Sequence, residues 1–155
     1  MPEPLFTETM QISIVVRDLE QTLRTYVEEY GIGAWEIYDF NPDTVTEMAT
    51  ADRFRIAVTM VGSVQWELVQ PLEETGVFAE FLAAKGEGVH HVAVGGRDYA
   101  ETLEALRAKG NGVVQSGHYN GVTFAYASTA KDLGVITEIF DWPEGLTQEP
   151  DATFP

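Results

Sequence analysis

Cysteine is absent from the 155 residues. This excludes a disulfide scaffold, a thiolate metal site and a cysteine nucleophile. Basic residues are scarce, 9 Lys and Arg against 25 Asp and Glu, for a net charge of −16. Such a surface repels phosphate backbones and anionic lipid, so neither nucleic acid nor membrane is an expected partner. No apolar run approaches the roughly 20 residues of a membrane helix. Met1-Pro2-Glu3-Pro4 carries neither a positive region nor an apolar stretch, so no signal peptide is expected. These absences predict a soluble, cytoplasmic protein. What is present, 45% hydrophobic residues, is enough to build a core, and the length suits one domain spanning 1–155.

The chain reads as one module used twice. Ile12-Ser13-Ile14-Val15-Val16 is short and β-branched, the pattern of a buried strand. Asp18 suits an N-cap, Leu19, Leu23, Tyr26, Val27 and Tyr30 recur at helical spacing, and Gly31 suits a helix stop. The order returns downstream: His91-Val92-Ala93-Val94, then Arg97-Asp98 matching Arg17-Asp18, then a helix face of Tyr99, Leu103 and Leu106 ending at Gly110. Three strand signals follow each helix. In the first half they are Trp35–Tyr38, Phe54–Val61 and Val64–Val69, and in the second Gly112–Gln115, Thr123–Ala127 and Val135–Phe140. Each half is therefore β-α-β-β-β, an α+β arrangement, with module one at about 9–71 and module two at about 89–142. The stretch 72–88 is an expected linker helix around Phe78, Phe81 and Leu82. Residues 41–52 form an expected mobile flap, and the acidic, Pro-rich tail 143–155 is expected to lie extended over the surface or to fray.

Four polar residues stand where a core prefers apolar ones. Alternation puts Gln11, Ser13 and Val15 on one face of the first strand, and His91, Ala93 and Gly95 on one face of its counterpart, with His90 on the other. Glu67 and Glu138 each sit inside the apolar last strand of a module. Burying a lone carboxylate costs several kcal/mol unless it is paired or binds a cation. If the modules close face to face, Gln11, Glu67, His91 and Glu138 converge as one imidazole and three oxygen donors, a set that suits one divalent ion: Zn, Ni, Co, Mn or Mg. The ordinary alternatives are glutamates turned to solvent on half-exposed strands and a hydrogen-bonded core histidine.

The stretches Gln11–Leu19, Gly86–Val94 and Asp132–Ile139 resemble the vicinal oxygen chelate superfamily, which includes glyoxalase I and methylmalonyl-CoA epimerase. The resemblance implies paired βαβββ modules forming a curved mixed sheet around a metal cup, the glyoxalase/bleomycin resistance/dioxygenase-like fold. Its metal ligands come from the first and last strand of each module, and by position they fall on Gln11, Glu67, His91 and Glu138. The sequence departs from the epimerases at Val58, where they carry an acid. Where glutathione-binding glyoxalases carry arginine and asparagine it has Val15 and Pro71, and it has Gln11 in place of the first histidine of the extradiol dioxygenases. The expected activity is that of a metal-dependent isomerase, epimerase or lyase abstracting a proton α to a metal-bound carbonyl of a small oxygenated substrate, with Glu138 as first choice of base and Glu67 as second. Trp35, Tyr38, Arg55, His118, Tyr126 and the flap around Glu47 are candidate substrate contacts. The alternative is a metal-free small-molecule-binding protein of the sequestration type, and a homodimer is expected from the family and from edge strands that need covering.

Overall fold

The computed structural model describes residues 1–46 and 52–155. The first module comprises β1 (Glu8–Val15), α1 (Leu19–Tyr30), β2 (Trp35–Phe40), β4 (Phe54–Val61) and β5 (Val64–Pro71), with a short β3 (Val45–Thr46) between β2 and β4. Helix α2 (Val77–Lys85) joins it to β6 (Gly88–Gly95), α3 (Tyr99–Ala108), β7 (Val113–Tyr119), β8 (Val122–Ala127), α4 (Ala130–Leu133) and β9 (Ile136–Asp141), and β10 (Ala152–Phe154) follows. Among the described residues these strands form one curled sheet of order β10-β2-β4-β5-β1-β6-β9-β8-β7-β3. The paired βαβββ reading is thus realised, the two halves meeting at the antiparallel β1–β6 seam.

Local chemistry accounts for the element ends. Asp18 accepts from the Gln21 amide at 3.0 Å, and Asp98 accepts from the Ala100 and Glu101 amides at 2.9 and 3.1 Å, so both long helices start on a side-chain cap. Gly31 stops α1 in the left-handed conformation, at φ 64°. Asn120 and Gly121 both take positive φ, 44° and 87°, as a tight two-residue hairpin turn between β7 and β8 requires.

The sheet separates two apolar layers. On its convex side Val16, Leu19, Leu23, Trp35, Ala57 and Leu68 pack together under α1. On its concave side Val15, Tyr38, Phe54, Ile56, Val58, Val69, Phe78, Tyr119, Phe124 and Tyr126 line the cup, and Phe78 brings α2 across its floor.

Two additions to the duplicated plan shape the mouth. The expected flap is in part a strand, β3 pairing with Tyr119 and His118 of β7, while Glu47 lies outside the described residues. Phe40 stacks on Tyr119 at 4.0 Å between ring centroids, so the outer strands of the two modules also meet through side chains. The tail is extended, with β10 pairing antiparallel to β2 at Trp35, Glu36 and Ile37. Part of each outer edge is therefore covered by the same chain, which removes uncovered edges at those positions as a reason to expect a second copy.

Candidate functional site

Strand register brings the four expected donors onto the concave face. Ser13 pairs with Glu67 across β1–β5, and Ala93 pairs with Glu138 across β6–β9. Across the central seam Gln11 pairs with Ala93 and Ser13 with His91. An approximate twofold axis thus relates Gln11 to His91, Ser13 to Ala93 and Glu67 to Glu138. All four donors are buried, with His91 fully inaccessible.

Their contacts are mutual. Gln11 Nε2 donates to Gln65 Oε1 at 2.7 Å and to Glu67 Oε2 at 3.2 Å, and Ser13 Oγ donates to Glu67 Oε1 at 2.6 Å. His91 Nε2 lies 2.9 Å from Glu138 Oε2 and 3.7 Å from Glu67 Oε1. Despite that proximity, His91 Nε2 and Gln11 Oε1 are buried with no hydrogen-bond partner among the described residues. The other ring nitrogen, His91 Nδ1, lies 2.9 Å from His90 Nδ1. A proton on His91 Nδ1, donated to His90, leaves Nε2 with a free lone pair facing the carboxylates.

His90 was expected on the opposite face. A β-bulge corrects this: Ser13 pairs with His91 but Ile14 pairs with Val89, so His90 is the extra residue and is turned toward the cup side. There it packs against Phe78, Phe81 and Tyr126 at 4.9, 5.2 and 5.8 Å between centroids.

Burial sets the protonation states. It pushes the Glu67 carboxyl up to about 7, against the opposing pull of His91 and of the Ser13 and Gln11 donors. It pushes Glu138 well above the usual carboxylate range, and no other group opposes the rise. It pulls His91 down to about 4 and His90 down to about 3, so both imidazoles are neutral near pH 7. The close His91–Glu138 contact is therefore a neutral one in the metal-free protein. The Tyr126 phenol, buried beside both glutamates, is held far above its ordinary value and stays protonated.

The residues fit a cation in their chemistry, though not as a finished cage. Among the described residues no three His, Asp or Glu side chains already stand in a ligand array. Two buried acceptor atoms without donors, beside two carboxyls that burial keeps protonated, are nevertheless what a divalent ion would satisfy by displacing the protons.

The donors open into a cavity of about 630 Å³, whose wall includes Tyr38, Phe54, Val58, Phe124, Tyr126 and Phe140. No Lys or Arg is among the residues that line it, while Glu8, Glu36, Glu67 and Glu138 are. Gly95 is a place of close approach: a Cβ there would stand 2.7 Å from Glu8 Oε1 and 2.9 Å from the Met10 sulfur, so glycine lets both side chains fold back at the rim.

A family model described as the glyoxalase/bleomycin resistance protein/dioxygenase superfamily matches residues 10–126. The chain belongs to this superfamily. It is 29% identical over 102 residues to an uncharacterised protein, YqjC, of Bacillus subtilis, covering 64% of this chain and 72% of that one. Among solved structures it is similar to a hypothetical protein from Bacillus halodurans, with TM-score 0.72, 23% identity, and 91% of this chain and 98% of that one covered. The methylmalonyl-CoA epimerase of Mycobacterium tuberculosis superposes with TM-score 0.68 at 21% identity, over 93% and 94% of the two chains. A Streptomyces coelicolor methylmalonyl-CoA epimerase variant in complex with 2-nitronate-propionyl-CoA gives TM-score 0.66 at 25% identity, over 87% and 96%.

Of the expected substrate contacts, Tyr38 and Tyr126 line the cavity of this superfamily member. Three others are corrected. Trp35 is fully buried on the convex side under α1, with its indole N–H donating to the Ile32 carbonyl at 2.8 Å. Arg55 alternates away from Phe54 and Ile56 and forms a two-pronged pair with Asp39 at 2.5 and 2.8 Å. His118 is exposed, with Nδ1 2.8 Å from the Thr123 hydroxyl. Sequence reading missed Ser13 and Gln65 as partners of the glutamates, although strand alternation already set Gln65 beside Glu67 and Ser13 beside Gln11. It also missed the bulge at His90 and the tail residues Trp142, Thr147 and Gln148 in the cavity wall, for which no local pattern gave a signal.

Proposed function

We propose that this cup is the active site of an isomerase, epimerase or lyase that removes a proton α to the carbonyl of a small oxygenated substrate. The observation that carries this reading is a buried, hydrogen-bond-free imidazole nitrogen flanked by two buried carboxyls at the wall of an apolar cavity. Gln11, Glu67, His91 and Glu138 would hold one divalent ion, of the Zn, Ni, Co, Mn or Mg type. When bound, that ion supplies Lewis-acid stabilisation of the negative charge that develops on the carbonyl oxygen, worth several kcal/mol.

The chain's own residues divide the remaining work. Glu67, gripped by Ser13 and Gln11, stays in place as a ligand. Glu138 accepts no such grip and keeps the higher proton affinity, so it is the base that takes the α-proton and returns it. Tyr126 stays a neutral donor beside it, and the aromatic wall excludes water from the carbanionic stage. Val58, standing across β4–β5 from Glu67, offers no second base on that wall, so one carboxyl serves both transfers or the proton is delivered to a different atom.

The cavity's lack of Lys and Arg disfavours a coenzyme A ester, even though the Streptomyces relative is seen with one. The second reading, a metal-free sequestering protein, is favoured by the aromatic lining alone.

The test is metal content after purification without chelators or a metal-affinity column, followed by α-proton exchange into deuterated water across a panel of carbonyl compounds. About one ion per chain, with exchange lost on chelation and restored by the ion, supports the enzyme. Glu138→Gln should lower exchange by at least about a hundredfold with the fold intact. A protein that gains no ion on dialysis and binds carbonyl compounds equally well with chelator is the sequestering type.

A further inference from the structure

We propose that the tail segment 142–151 is the substrate-selecting wall of the cup, and that the Gln148 side-chain amide donates to an acceptor oxygen at the far end of an uncharged, ring-bearing substrate. The proposal rests on the reading above only in placing the substrate's reactive end at the Gln11–Glu67–His91–Glu138 group.

The tail is a built wall. Trp142, Thr147 and Gln148 line the cavity from the side opposite the sheet's own residues. The segment is fixed at both ends. Trp142 Nε1 donates to the Leu146 carbonyl at 3.1 Å, and beyond Gln148 the Asp151 amide donates to the Ile37 carbonyl at 2.9 Å. The Asp151 carboxylate accepts from the Asp39 amide at 2.8 Å, and β10 then pairs with β2.

Within this fixed frame Gln148 Nε2 is buried and has no hydrogen-bond partner among the described residues. An amide donor left unpaired in a closed site costs about 1–3 kcal/mol, so a site that keeps one is arranged to meet an acceptor. The rest of the lining defines that acceptor's bearer. Four carboxyls and no Lys or Arg line the cavity, so an anion would be repelled and unpaired. The rings of Tyr38, Phe40, Phe124, Tyr126 and Phe140 favour a flat apolar body. A carbonyl, ether or hydroxyl oxygen on a neutral ring compound satisfies Gln148 without bringing charge, and the volume admits two rings.

The experiment is calorimetric binding of three probes to the full chain, with and without chelator: benzoin, 4,4′-dimethoxybenzoin and benzilate. The expected result is that benzoin binds at least tenfold more tightly than benzilate, which resembles it but carries a carboxylate. The dimethoxy compound, with its remote ether oxygens, is expected to bind about fivefold more tightly than benzoin. Gln148→Leu and Gln148→Glu should each abolish the dimethoxy preference while leaving benzoin affinity within about twofold, as the loss of one hydrogen bond at an unchanged cavity requires. Using two variants guards against either one unseating the segment, which far-ultraviolet circular dichroism and melting would show.

Equal or tighter binding of benzilate overturns the uncharged-substrate class, as does failure of benzoin to bind. A dimethoxy preference absent from the wild type, or kept by both variants, overturns the role of Gln148. If these affinities hold with chelator present and no α-proton exchange occurs, the binding proposal stands and the enzymatic reading above fails.

Discussion

Glu67 and Glu138 occupy equivalent positions in the two modules and differ in what touches them. Glu67 accepts from Ser13 and Gln11, whereas the residue matching Ser13 beside Glu138 is Ala93, which has no hydroxyl to give. Removing the Ser13 donor by Ser13→Ala takes away a contact to the charged form, so the Glu67 titration midpoint in the metal-free protein should move further up from about 7, by roughly one pH unit. Carbon-13 detection of the carboxyl resonance measures it. The same carboxyl links stability to pH. Its folded value is raised above that of the unfolded chain, so folding loses stability as pH climbs from about 4.5 to about 7, by up to about 3 kcal/mol. In chelator, Glu67→Gln removes that loss, and its melting temperature should rise relative to wild type across this window. A difference that stays flat with pH would place Glu67 in a more polar setting than its burial indicates. His91 works in the opposite sense: its lowered value, about 4, makes stability fall as pH drops from about 6.5 toward 4.

At the level of elements, α2 matters more than a linker need. Phe78 carries it onto the cup floor, contacting Phe54, His90 and Tyr126 at 5.0, 4.9 and 6.1 Å between centroids. Phe78→Ala should therefore cost about 3–5 kcal/mol in denaturant melts and loosen His90, and through it the orientation of His91. Here the sequence was a good guide to some elements and a poor one to others. Strand–helix order, the Asp18 and Asp98 caps, the Asn120-Gly121 turn and the linker helix were all readable, because each depends on residues a few positions apart. The bulge that turns His90 was not, because it is decided by which residues face each other across β1–β6. Strands β3 and β10 were not, since two- and three-residue pairings with distant partners leave no periodicity. For the site the same division holds. The duplication made Gln11, Glu67, His91 and Glu138 conspicuous, whereas Trp35 and Arg55 were misplaced because an aromatic or a cation does not announce which face of its strand is concave.

For the whole molecule the dominant quantity is charge. With a net charge of −16, the folded chain carries considerable self-repulsion. Raising sodium chloride from about 10 to 500 mM shortens the screening length from roughly 30 Å to a few ångströms. The melting temperature of the metal-free protein should therefore rise with salt, by several degrees in differential scanning calorimetry. No change would mean that the few ion pairs, such as Arg55–Asp39 and Arg53–Glu73, already balance the repulsion.

The pairing of Ser13 with a hydroxyl-free counterpart bears on how such a molecule diverges from its own duplicate. Two copies that began alike need not share every task, and a single oxygen atom is enough to part them: one half becomes an anchor, the other is left free to react. Transplanting that oxygen, with Ser13→Ala and Ala93→Ser together, would be expected to exchange the temperaments of the two acids without disturbing the sheet that carries them.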